Sequence, residues 1–340
     1  MRVSRFIASL TPFVLIAGCQ HDAVGPASNP AAIQGPNHSQ IVITQILPLS
    51  GEPYGVAISS RGQVYVARVI ADLVAHTPFS NPAFGANIQI APGDSFGFIV
   101  GPVHVAFNPT GAKAYVVNQF AGTLSVIDAV RESVTASITL GDAGFNVGVA
   151  PNGQRVYATT SGGKVVVIST STNTVVDSMQ VGTAANGLAF SPDGATLYVS
   201  SRDAGTVTAF STSSDGLLAT YTVGGRPQRL AVSPNGKTLF AANEDSGLSV
   251  VSVPSGTVLP AVHLVPSGYG LGQSPDGTQL WVTDPQNSTV YFVDEHTLST
   301  AATFFLGEGS VPRNVAFTTD GSGAVVSDGN GSVFFFQITN

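Results

Sequence analysis

From residue 41 onward the chain alternates short apolar runs with tight polar turns, and one arrangement of the two recurs seven times. Its core is an apolar strand, a Pro-Asp-Gly or Pro-Asn-Gly turn, and a second strand carrying an aromatic residue. Leu188 to Gly194 followed by Tyr198, and Leu230 to Gly236 followed by Phe240, are the clearest copies. Val105 to Gly111 with Tyr115, Val147 to Gly153 with Tyr157, and Leu271 to Gly277 with Trp281 repeat it. Val56 to Gly62 with Tyr65 and Val315 to Gly321 with Val325 are degenerate copies. The turn glycines recur at steps of 41 to 44 residues after a first step of 49. Pro presets φ at the first turn position and Asp-Gly or Asn-Gly makes the tight reversal, so each copy predicts a hairpin.

A third strand follows each hairpin, as in Thr123 to Asp128, Lys164 to Ile168 and Thr289 to Asp294. A fourth comes next, as in Val134 to Leu140, Thr174 to Val181 and Leu217 to Val223. Four short antiparallel strands per repeat of about 40 residues make a propeller blade, so the pattern predicts an all-β, seven-bladed β-propeller. The last copy has room for only three strands before Asn340. Ile41 to Leu49 carries the fourth-strand pattern, and the expectation is that it completes the last blade and closes the ring, removing open sheet edges.

Composition agrees. Only 10% of residues are charged and 38 are glycine, against about 25% charged in ordinary soluble domains. Half-buried strands and repeated glycine turns explain both, and a coiled coil or a charged disordered chain is excluded. The repeat of Leu-Tyr-Val followed by Thr-Val-x-Val-Ile-Asp resembles the YVTN-family β-propellers, including YncE-like proteins. Tyr115-Val116-Val117-Asn118 with Leu124 to Asp128 is the nearest copy, and the resemblance spans residues 41 to 340. It implies a fold rather than an activity, because the repeated residues build blades.

The first residues read as an address. Arg2 and Arg5 precede an apolar run, Phe6 to Ala17, too short to span a membrane. The run ends Leu15-Ile16-Ala17-Gly18-Cys19, which resembles a bacterial lipobox, with Ile16 where the family pattern has Leu. That resemblance implies a signal peptide over residues 1–18, lipidation of Cys19, and export to the periplasm or cell surface. Gln20 at the following position weakly favours the outer membrane. Cys19 is the only Cys in the chain. The expected domains are therefore signal peptide 1–18, lipidated Cys and flexible tether 19–40, and propeller 41–340, the tether following from its Pro, Ala, Asn and Gly content.

In a propeller the entry to each innermost strand and each loop between the second and third strands lie on one face, around the channel mouth. Positions that vary there between blades are where specificity is written on a repeated frame. They give the candidate ligand-binding set Tyr54, His104, Phe145, Asn146, Arg229, Tyr269, Arg313 and Asn314. Arginines clamp carboxylate or phosphate, so the set suits a small anionic or sugar-like ligand. The loops add Arg68, Asn118, Thr160, Arg202, Asn243, Glu244, Asp284 and Asp328. The same Arg and Asn residues could equally bond loop carbonyls and plug the channel, which is the alternative reading.

Catalytic and metal patterns are sparse. Gly93-Asp94-Ser95-Phe96-Gly97 matches the hydrolase G-x-S-x-G string but lies in a loop with no helix to follow, so no catalytic residue is assigned. Glu244, Asn118, Asn146 and Asp284 could converge on Ca²⁺, yet no recognisable ligand spacing exists, and neither metal nor cofactor is expected. His21 and His38 fall in the tether, and His76, His263 and His296 in strands or turns. A net charge of −7, with few lysines, argues against nucleic acid as a partner. The expectation is a monomeric, lipid-anchored, non-catalytic scaffold that binds a protein or small molecule at the channel mouth. The alternative is a propeller enzyme of the lactonase or lyase type, with His104 moving the proton.

Overall fold

A computed structural model of the chain describes residues 32–90, 99–259 and 265–339. They form seven four-stranded antiparallel sheets, each a blade with strands A to D from the axis outward, with two short 3₁₀ turns among the described residues. Blade 4 shows the plan: A is Ala185–Phe190, B is Thr196–Ser201, C is Thr206–Ser211 and D is Leu217–Thr222. The A strands of blades 1 to 7 begin at Pro53, Pro102, Gly144, Ala185, Pro227, Leu271 and Pro312. Each A strand touches the next, and Pro312–Phe317 of blade 7 meets Pro53–Ile58 of blade 1, so the ring is closed.

Closure occurs as the sequence predicts. Blade 7 takes A, B and C from Pro312–Phe317, Gly323–Asp328 and Ser332–Thr339, and its D strand is Gln40–Pro48. Ile41 and Ile43 are buried there, with Ile41 opposite Ile338 and Ile43 opposite Phe336. Residues 33–39, expected to lie in the tether, are folded onto this blade. Ile33–Gln34 pairs outside Gln40–Ile41, and Pro36–His38 makes a 3₁₀ turn. Ser39 is fully buried and accepts a bond from Gln279 Nε2 at 3.0 Å. Composition misjudged this stretch because it is held by hydrogen bonds of Ser39 and by strand pairing of Ile33–Gln34 rather than by a periodic apolar face.

Cross-strand volume matching organises the blades. Tyr65, Tyr115, Tyr157, Tyr198, Phe240 and Trp281 stand opposite Ala57, Ala106, Gly148, Ala189, Ala231 and Gly272. A large ring beside a small residue leaves room for the neighbouring blade to interlock. Trp281 thus packs edge-on against Phe292 of its own blade at 4.5 Å and against Phe317 and Phe336 of blade 7 at 5.1 Å each. The hairpin turns repeat as expected. Gly194 takes φ +71°, closing the turn with its N–H on the Ser191 carbonyl at 2.8 Å, and it sits against Pro151 of the preceding blade's turn.

Candidate functional site

The channel mouth is shaped by an irregularity that recurs in the A strands. Pairing with strand B slips between Pro53 and Val56, Pro102 and His104, Gly144 and Asn146, Ala185 and Leu188, Pro227 and Leu230, and Pro312 and Asn314. These bulges break the strict alternation of a strand and re-aim side chains at the entry positions. In four blades a strand-B hydroxyl holds the entry to strand A, the slipped segment in three of them: Thr159 Oγ1 accepts the Asn146 N–H, Ser200 Oγ and Ser327 Oγ accept those of Gly187 and Asn314, and in blade 6 Thr283 Oγ1 accepts that of Gly270. Each hydroxyl donates onward to the next blade, to the carbonyls of Asn186, Gln228, Tyr54 and Arg313 respectively. Sequence reasoning missed these four residues. The signal was present, a Thr or Ser two positions after the repeat's aromatic position, but degenerate, because Ala67, Val117 and Ala242 occupy that position elsewhere.

A cavity of about 480 Å³ opens at this mouth. Of the eight candidates, Tyr54, Phe145, Arg229 and Tyr269 line it, together with Val103, Asn186, Arg202, Gln228 and Glu244. Arg229 is its most unusual member. It is only 7% exposed, no ion pair or hydrogen bond reaches it from the described residues, and its Nη1 is buried without a partner. Burial pulls its guanidinium down to about 10, with Tyr54 acting weakly the other way, so it is fully charged at neutral pH.

The remaining cations are neutralised. Arg202 binds Asp203 at 3.0 Å and Glu244 at 3.2 Å, and Arg226 binds Glu244 at 3.1 Å and Asp245 at 2.9 Å. Gln228 donates to Glu244 and accepts from Asn186 Nδ2 at 2.7 Å, so this side of the cavity is a self-contained network. Arg313 pairs with Glu52 at 3.7 Å and lies 4.9 Å from the Tyr54 ring and 5.5 Å from the Tyr269 ring, a double cation–π contact. The two tyrosine hydroxyls hydrogen-bond each other, joining blades 1 and 6 across blade 7.

His104 and Asn314 meet away from the cavity wall, His104 Nε2 lying 3.2 Å from Asn314 Nδ2. The Asn314 amide is oriented by Oδ1, which accepts the Val315 N–H at 2.9 Å. Nδ2 therefore donates, His104 Nε2 accepts, and the ring proton sits on Nδ1. Burial, then the nearby Arg229 charge, hold the imidazole well below its ordinary value of 6.5, while the Val147 backbone acts the other way. His104 is thus a neutral ring whose basic nitrogen is already engaged. Among the described residues no carboxylate bonds to it or to Arg229. Asn146 folds its Oδ1 back onto the Val147 N–H at 2.8 Å.

Most of the loop positions turn inward. Asn118 donates to Thr123 and Ser125, Asn243 accepts the Arg226 and Asp245 N–H groups, Asp284 caps Gln286 and Asn287, and Asp328 caps Val311 and Asn330. All four are buried. Thr160 serves its own turn, and Arg68 binds Ser50 and Asn87. Only Arg202 and Glu244 of this group reach the cavity. Glu244, Asn118, Asn146 and Asp284 do not converge, and no three His, Cys, Asp or Glu form a metal-holding group among the described residues. Cys19, the 93–97 string and His263 lie outside the described residues.

Comparison with known proteins bears on the fold and the lineage. The family described as lactonase, 7-bladed β-propeller, matches residues 86–258. Antigen Lp49 of Leptospira interrogans is 27% identical over 172 residues, covering 44% of this chain and 36% of the relative. YncE of Salmonella typhi, described as uncharacterised, is 28% identical over 148 residues, covering 43% of this chain and 40% of the relative. The chain therefore spans roughly two fifths of the length of the curated relatives it matches. Among solved structures, the hydrazine synthase of Kuenenia stuttgartiensis superposes with a TM-score of 0.73 at 18% identity, over 84% of this chain and 95% of that one. At that identity the likeness is one of fold. The match over half the chain, on a closed ring of seven four-stranded blades, places this protein in the lactonase-type family of seven-bladed β-propellers.

Proposed function

We propose that the protein is a lipid-anchored, extracytoplasmic binding module whose channel mouth holds a small anion on Arg229. The observation that carries this reading is the buried guanidinium with no counter-charge, at the wall of an open cavity. An unpaired buried charge is costly to a fold, and a site that retains one is explained when an anion completes it. Thermal unfolding of the full-length protein tests it. Millimolar acetate is expected to raise the wild-type midpoint and to leave Arg229→Gln unmoved; equal shifts in both would refute the site.

Lactone hydrolysis at the same mouth is the second reading, favoured by the family match. It needs a free proton acceptor beside the anion site, and His104 has its accepting nitrogen engaged by Asn314. We therefore rank binding above catalysis; lactone turnover abolished by His104→Gln would reverse that order. The anchor rests on the Ile16-Ala17-Gly18-Cys19 pattern. Cys19→Ser is expected to abolish acyl labelling and free the protein from membranes, and retained labelling would refute it.

A further inference from the structure

The cavity wall is divided by blade, and the division narrows the ligand. Going round the axis, the entry residues of blades 6, 1, 2 and 3 present Tyr269, Tyr54, Val103 and Phe145 on the cavity side, with Arg313 of blade 7 set over the rings of Tyr269 and Tyr54, while the loops of blades 2 and 3 add Gln119 and Ser161. Blades 4 and 5 face them with Asn186, Gln228 and Arg229, backed by Glu244 and Arg202. The polar arc is closed on itself: Gln228 is bonded at both ends, and Glu244 is shared between Gln228, Arg202 and Arg226. Among the described residues one cation in this mouth is uncommitted, Arg229, because Arg202, Arg226 and Arg313 each face an acid. A single buried positive charge is balanced by one negative charge. A doubly charged phosphate would bring a second charge beside Glu244 with nothing to meet it. A polyhydroxylated sugar would lay hydroxyls against the side chains of Val103 and Phe145, which carry no hydrogen-bonding group, leaving Gln119 and Ser161 as the polar side chains of that half of the lining.

We propose that this mouth selects a small monocarboxylate with an apolar, planar body, its carboxylate on Arg229 and its body against Tyr54, Val103, Phe145 and Tyr269. This rests on the anion-binding reading above and adds to it the chemistry of the rest of the molecule. The cavity, about 480 Å³, is of the size that takes a small ligand of this kind.

Isothermal titration of the full-length protein with phenylacetate, acetate, glucuronate and inorganic phosphate separates the two claims. Phenylacetate is expected to bind roughly tenfold or more tighter than acetate, the gain from covering one aromatic ring. Phe145→Ser is expected to remove most of that preference, weakening phenylacetate several-fold more than acetate, and Phe145→Leu to keep most of it. Tighter binding of glucuronate or phosphate than of phenylacetate overturns the proposal and leaves the anion site standing. The same holds if Phe145→Ser weakens acetate as much as phenylacetate. Wild-type affinity for all four ligands in Arg229→Gln, or no binding of any of them by the wild type, overturns both.

Discussion

The hydroxyls that stitch the channel mouth give a sharp test at Ser200. Its side chain is fully buried and makes two bonds of 2.8 Å, accepting the Gly187 N–H of its own blade and donating to the Gln228 carbonyl of the next. Ser200→Ala removes one oxygen and leaves both backbone groups without their partner. A neutral hydrogen bond contributes about 1 kcal/mol net, and a stranded buried group costs about 1–3 kcal/mol. Ala67 and Ala242 stand at the matching position of blades 1 and 5, so the backbone tolerates the smaller residue and the loss is set by the bonds. The expected loss is about 2 kcal/mol, read as a lower urea midpoint at unchanged slope. Ser213→Ala is the control, because that hydroxyl is exposed and bonds only Ser211, and a change within about 0.5 kcal/mol is expected. Because Gln228 adjoins Arg229, Ser200→Ala is also expected to weaken anion protection. A stability change no larger than that of Ser213→Ala would refute the stitching argument.

Three further outcomes follow from the same geometry. Ile41→Ala, at a fully buried position of the ring-closing strand, is expected to cost about 2–5 kcal/mol, and deletion of residues 32–49 to leave no cooperative unfolding transition; an unchanged melting curve refutes closure. Tyr115→Phe is expected to stabilise by about 1 kcal/mol, since its hydroxyl is buried without a partner and burial raises its pKa; a lower midpoint refutes the claim that the hydroxyl is unpaired. Thr318 and Ser322 hold the Asp320 carboxyl down at about 2, against an ordinary 3.8, so its stabilising effect is present above the ordinary value and is lost as pH falls through about 2. Asp320→Asn is then expected to cost under about 1 kcal/mol at pH 7 after solvent screening and nothing near pH 2, and a loss independent of pH refutes it.

The blades were legible in the sequence because their determinants are local and repeated: a Pro-Asp-Gly turn, an aromatic seven residues or fewer beyond it, and an apolar strand on either side. Ring closure by the strand at Ile41 was legible by subtraction, since the seventh copy lacked a strand. The mouth was legible in position and not in arrangement. Tyr54, Phe145, Arg229 and Tyr269 reach one cavity, whereas His104 Nε2 and Asn314 Nδ2 bond each other and Asn146 bonds its neighbour's backbone. That sorting depends on the bulges, which change which residues of each A strand face the channel, and a single slip in pairing has no composition of its own. Docking of residues 33–39 was hidden for a related reason, being carried by Ser39, Gln279 and Pro36 rather than by a periodic face.

The distinction between Arg229 and Arg313 shows why residue type at a mouth does not identify a site. Both occupy the entry of an A strand, and both act electrostatically on Tyr54. Arg313 leaves its Nε buried without a partner, but Glu52 at 3.7 Å and two aromatic faces meet its charge without a ligand, and it locks blade 7 to blades 1 and 6. Among the described residues Arg229 has neither acid nor hydrogen bond, and the acids that line the cavity, Asp203 and Glu244, are taken by Arg202 and Arg226. Folding stability is served by the first arrangement and opposed by the second. A ring whose stability comes from seven repeated interfaces can carry one such uncompensated charge, and the uncompensated charge is the one available to a ligand.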